Sequence, residues 1–69
     1  MKAIIQRYTE KEELIEIIDE INMASVHSFK PIVTSHHNNV LIGIEITTKR
    51  GDVRGFYNTA DSVIRINIV

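Results

Sequence analysis

Three histidines, His27, His36 and His37, are the first residues to weigh for chemistry, because imidazole binds metals and titrates near neutral pH. Adjacent histidines rarely reach one ion without a bent backbone, and no carboxylate stands at a ligand-like spacing from them. Polar turn residues and no metal are the expectation. Ser35 beside His36 is no nucleophile–base pair, since neighbours on an extended chain point apart. Glu10, Glu12, Glu13, Glu16, Asp19 and Glu20 supply carboxylates, but nothing in the sequence marks a site that would bury one as a general acid. Nucleophile-elbow, phosphate-loop and dinucleotide patterns are lacking, and Gly43, Gly51 and Gly55 are spread through sheet positions. No catalytic residue and no cofactor is expected, so the chain is not read as an enzyme.

Arg50-Gly51-Asp52 spells an adhesive tripeptide, yet Gly51 has a complete structural reason as a turn residue. Two binding chemistries draw on the residues around it. Lys49, Arg50, Arg54 and Arg65, with Phe56 or Tyr57 as a stacking surface, form a nucleic-acid reading. Against it, Glu45 sits among the cations and the net charge is −1, whereas phosphate contacts dominate nucleic-acid affinity. Leu41, Phe56 and Val63, rimmed by Glu45, Arg54 and Arg65 with Val69 further along, resemble an apolar centre with a charged border. That pattern favours a protein partner.

These residues need elements to hold them. Sixty-nine residues make one domain, spanning 1–69. A core of this size rarely contributes more than about 3–5 kcal/mol. Cysteine is absent, so disulfides cannot support the core and oligomerisation is the remaining common device. Acidic and polar residues from Glu10 onward break any leader, and no apolar run reaches the roughly 20 residues that span a bilayer. A cytoplasmic location is expected, with no membrane contact. The abundance of isoleucine fits an AT-rich genome and a source of bacterial or phage type.

Residues 2–8 read as a first strand. Thr9 and Glu12 then have capping-box spacing, with Glu10, Glu12 and Glu13 placing negative charge where a helix would start. Leu14, Ile17, Ile18 and Ile21 follow at the i, i+3, i+4, i+7 spacing of a buried helical face. Pro31 disfavours helix at Lys30, and Pro31-Ile32-Val33-Thr34 reads as an edge strand. Ser35 to Asn39 reads as a turn. Ile42, Ile44 and Ile46 alternate with polar or small residues, as do Ile64, Ile66 and Ile68.

Four-residue loops at 48–51 and 58–61 would pair Ile46 with Val53, Ile44 with Gly55 and Gly55 with Ile64. Every Ile then shares one face, and Phe56 lies beside Gly43 on the other. The predicted fold is α+β, with one amphipathic helix packed on a mostly antiparallel sheet. Its order is β-α-β-β-β-β, and it ends in a three-stranded meander. The predicted function is a small, non-enzymatic protein-interaction or regulatory protein, homodimeric, using Leu41, Phe56, Val63, Glu45, Arg54, Arg65 and Val69. The alternatives are a nucleic-acid-binding module and a small-ligand sequestering protein with its pocket near Tyr57 and the His36-His37 turn.

Overall fold

The structure, a computed structural model, describes residues 1–34 and 40–69. Strands β1 (Lys2–Thr9), β2 (Leu14–Asn22) and β6 (Ser62–Ile68) form sheet A in the order β2-β1-β6. Strands β3 (Val26–Thr34), β4 (Val40–Thr48) and β5 (Val53–Tyr57) form sheet B in the order β3-β4-β5. Every pairing is antiparallel. The chain crosses between sheets at the 3-10 turn Met23–Ser25 and again at residues 58–61. The turn expected at Ser35-His36-His37-Asn38-Asn39 lies outside the described residues.

The predicted α+β fold is overturned, because no packed amphipathic helix exists among the described residues and the segment chosen for it is β2. Its composition explains the outcome: Ile15, Ile17, Ile18 and Ile21 are β-branched, stiff at χ1 and suited to a pleated surface. The helical spacing is produced by bulges. β1 pairs Ile5 with Asp19 and Gln6 with Ile17, leaving Ile18 unpaired; it pairs Arg7 with Glu16 and Tyr8 with Leu14, leaving Ile15 unpaired. One extra residue shifts the alternation by one, so Ile18 and Ile21 both pack against the core although they are three apart. Leu14 and Ile17 fall on the opposite face and are about half exposed, at 50% and 54%.

The capping-box signature is a hairpin turn. Glu12 N–H donates to Thr9 C=O at 3.0 Å, Thr9 N–H to Glu13 C=O at 2.8 Å, and Glu13 N–H to Thr9 Oγ1 at 3.2 Å. The β4–β5 hairpin repeats this wiring: Gly51 N–H to Thr48 C=O at 3.0 Å, Thr48 N–H to Asp52 C=O at 2.9 Å, and Asp52 N–H to Thr48 Oγ1 at 3.1 Å. Both loops hold three residues and end on a left-handed one, Glu12 at φ 64° and Gly51 at φ 93°. Only Gly51 suits that conformation. A side chain there costs about 1–2 kcal/mol, partly offset at Glu12 by its exposed ion pair with Arg65. Gly51→Ala is therefore expected to lower urea stability by about 1 kcal/mol. Glu12→Gly is expected to raise it by about 0.5 kcal/mol. Equal signs for the two substitutions would contradict this account of the turns.

The predicted meander is also corrected. The loop after β4 is one residue shorter than the 48–51 reading, so Ile46 opposes Arg54, Ile44 opposes Phe56 and Glu45 opposes Gly55. Arg54 and Phe56 thereby move to the isoleucine face, and Val53 moves off it. β6 leaves sheet B and pairs with β1, Ile5 opposite Ile66 and Arg7 opposite Ile64. The isoleucines of β4 and β6 still meet, across the sandwich instead of side by side. Ala3, Ile5, Ile46 and Ile64 form the buried core, with Ile18, Ile21, Met23, Val26, Ile44, Phe56 and Ile66 packed round it.

Candidate interaction surface

The corner joining the sheets is polar and tightly wired. Arg7 Nη1 donates to Ser62 Oγ at 2.9 Å and to Tyr57 C=O at 3.2 Å. Asn58 Oδ1 accepts from Ile64 N–H at 2.9 Å, and Asn58 Nδ2 donates to Leu41 C=O at 3.4 Å, so one side chain bridges both sheets. Thr59 Oγ1 and Ser62 Oγ lie 2.7 Å apart. These groups satisfy one another, which suits a structural joint more than a reaction centre.

The predicted site residues are dispersed. Arg54 and Phe56 sit on the inner side of sheet B, Arg54 paired with Asp19 of β2 and Phe56 packed on the core. Glu45 lies on the outer side of sheet B, between Lys30 and Gly55. Leu41 opposes Val33 at the far end of the β3–β4 hairpin. Val63, Arg65 and Val69 share the outer side of sheet A by strand alternation. The Glu45–Arg54–Arg65 row therefore does not form. The four cations are not gathered either: Lys49 and Arg50 are exposed at a turn tip, Arg54 meets Asp19, and Arg65 meets Glu12 at 3.0 Å.

What the structure assembles instead is the outer face of sheet A. Register places Ile4, Gln6 and Tyr8 of β1 beside Leu14 and Ile17 of β2 and beside Val63, Arg65 and Asn67 of β6. The Arg65 guanidinium stands 4.7 Å from the Tyr8 ring centroid, a cation–π contact that also shields part of the ring. Lys2, Glu12 and Glu20 supply charge at the margins. An antiparallel sheet with one solvated face should alternate apolar in and polar out. This one carries Ile4, Tyr8, Leu14, Ile17 and Val63 outward, with no layer of the described residues over them. The face is hidden in the sequence because Leu14 and Ile17 also complete a helical stripe with Ile18 and Ile21. The alternation of Ile4, Gln6 and Tyr8 within β1 was the available signal.

Two shallow hollows, of about 310 and 360 Å³, lie elsewhere. One is lined by Thr9, Glu10, Lys11, Glu13 and Asp61, the other by Ala24, Ser25, Thr48, Lys49, Arg50 and Asp52. Neither is lined by Tyr57. No helix of the described residues is long and apolar enough to cross a membrane. Set against known families, curated proteins and solved structures, the chain matches none of them.

Proposed function

We propose that this protein is a non-enzymatic interaction protein that works as a homodimer and offers the outer face of sheet A to a protein partner. The observation that carries the dimer is the surface the chain leaves uncovered. It exposes 4996 Å², whereas a compact monomer of 7.9 kDa exposes about 4,400 Å². Its radius of gyration is 12.5 Å, against about 11 Å for a compact chain of this length. The chain thus shows roughly 600 Å² more surface than a compact chain of its size. Leu14, Ile15, Ile17, Val33, Leu41 and Ile68 are among the large apolar residues that contribute to it.

On the outer face of sheet A, Ile4, Tyr8, Leu14, Ile17 and Val63 are neighbours by register, and contiguous apolar surface marks association. The small core adds a thermodynamic reason, because subunit association stabilises whatever fold it requires. Light scattering on a size-exclusion column is the direct test. A mass twice that of the chain at tens of micromolar, falling towards one chain on dilution, is expected. A single-chain mass at every concentration up to hundreds of micromolar removes the dimer.

A further inference from the structure

Exposed strand edges template pairing with other strands, and the four edges here differ in how well they are protected. β2 carries two bulges and Glu16, Asp19 and Glu20. β3 has Lys30, two register shifts and Pro31, which lacks an N–H. β5 is only five residues long. β6 runs seven residues with a regular register and a single charge, Arg65. It is the least guarded.

Hydrogen bonding shows which of its backbone groups face outward. Lys2 N–H donates to Val69 C=O at 2.7 Å and Val69 N–H to Lys2 C=O at 2.9 Å. Alternation along an antiparallel pair then commits Val63, Arg65 and Asn67 to β1 and turns Ser62, Ile64, Ile66 and Ile68 to the free edge. The start of that edge is closed from within. Ser62 C=O accepts from Thr59 N–H at 3.0 Å, and Ile64 N–H donates to Asn58 Oδ1 at 2.9 Å. Beyond this point no partner among the described residues reaches Ile64 C=O or the N–H and C=O groups of Ile66 and Ile68.

We infer that this open stretch pairs with the same stretch of a second copy, antiparallel about a two-fold axis at Ile66. The inference rests on the dimer reading and gives it a location. Ile66 exchanges both hydrogen bonds with its symmetry mate, and Ile68 N–H donates to Ile64 C=O of the second copy. Two copies of sheet A become one six-stranded sheet. An isologous contact of this kind closes on itself and leaves no edge of β6 to propagate.

Charge selects the register. About Ile66, each Arg65 lies opposite Asn67 of the second copy. About Arg65, the two Arg65 residues would stand directly opposite each other, their Cα atoms about 4.5 Å apart, and like charges directly opposed are unfavourable. Ile68, 41% exposed in the single chain, extends the row of Ile64 and Ile66 and meets Ile64 of the second copy. The outer faces also become continuous, presenting Tyr8, Leu14, Ile17 and Val63 twice on one surface.

The test uses Asn67, which is exposed, so its replacement leaves the core alone. Asn67→Glu places a carboxylate opposite Arg65 of the second copy, and Asn67→Lys places a like charge there. Dimer dissociation constants at low salt are read by sedimentation equilibrium, with circular dichroism reporting the fold. Asn67→Glu is expected to tighten the dimer about fivefold and Asn67→Lys to weaken it about fivefold, since cross-strand charge pairs act at both symmetric positions. Both shifts should shrink in 0.5 M salt, the concentration range where ions screen exposed charges. A wild-type dimer that neither substitution moves overturns the β6 pairing and leaves the dimer standing. A wild-type monomer overturns both.

Discussion

Ile5→Ala is expected to leave the chain largely unfolded at 25 °C, whereas Leu14→Ala should cost about 0.5 kcal/mol or less. Ile5 and Ile46 are the largest fully buried side chains, each with no exposed surface. Truncating such a residue removes its transfer free energy and leaves a cavity, together about 2–5 kcal/mol. The core is made of Ala3, Ile5, Ile46 and Ile64 with a partly exposed surround, and a core this small rarely contributes more than about 3–5 kcal/mol. One substitution can therefore consume most of the folding free energy. Leu14 provides the opposite case, half exposed at the start of β2 opposite Tyr8.

The contrast also separates two folds. On an amphipathic helix, Leu14 would begin the buried stripe and its truncation would rival that of Ile5. Urea unfolding at one fixed protein concentration is the measurement, because association shifts apparent stability by mass action. A Leu14→Ala loss as large as that of Ile5→Ala would sink the β2 assignment.

How much of this was legible in the sequence follows from where local and non-local rules agree. β1, the β4 alternation and the β6 alternation were readable, since period 2 in β-branched residues has few competing interpretations. β2 was not. Two bulges break its period into spacings of three and four, which imitate a helix, and a type I turn begins with the same backbone geometry as a helical first turn. Thr9 and Glu12 consequently carried a signature that both structures share. The Ile-rich composition of residues 15–21 was the local clue against a helix.

The β6 partner was illegible for a different reason. Ile64 and Ile66 can meet the isoleucines of β4 whether the strands lie side by side or in facing sheets, so hydrophobic pattern alone does not choose. The choice is made by Arg7, Asn58, Thr59 and Ser62, whose side chains close the corner between the sheets. Single polar residues of this kind have no periodicity to announce them. The candidate surface fared likewise. Arg65 and Val63 stand two apart in one strand and so share a face, but Tyr8, Leu14 and Ile17 join them only once the first two strands form a hairpin.

The one-residue shift in the β4–β5 loop has a consequence at the glycines, and there Gly43→Ala is expected to cost about 2–3 kcal/mol, at the upper end of overpacking penalties. A Cβ on Gly43 would stand 2.4 Å from the Phe56 carbonyl oxygen and 3.1 Å from Tyr57 Cα. Both are backbone atoms of the paired strand and cannot rotate aside, so β5 must separate from β4 to admit the methyl group. Because β5 carries Phe56 into the core and Arg54 to Asp19, that separation opens the sandwich.

Gly55 behaves differently. Its added Cβ meets Cε2, Oη and Cζ of Tyr57 at 3.0–3.2 Å, the far end of a side chain that is 54% exposed and free to swing outward. The Tyr57 ring covers Gly55 in the way aromatic residues cover bare glycines in sheets, the role the longer loop would have given Phe56 over Gly43. Gly55→Ala should consequently cost less than about 1 kcal/mol, with the Tyr57 ring displaced. Hydrogen exchange separates the two outcomes residue by residue: β5 amides lose protection in Gly43→Ala and keep it in Gly55→Ala. Were Phe56 the ring over Gly43, as in the 48–51 loop register, Gly43→Ala would disturb only a side chain and leave β5 protected.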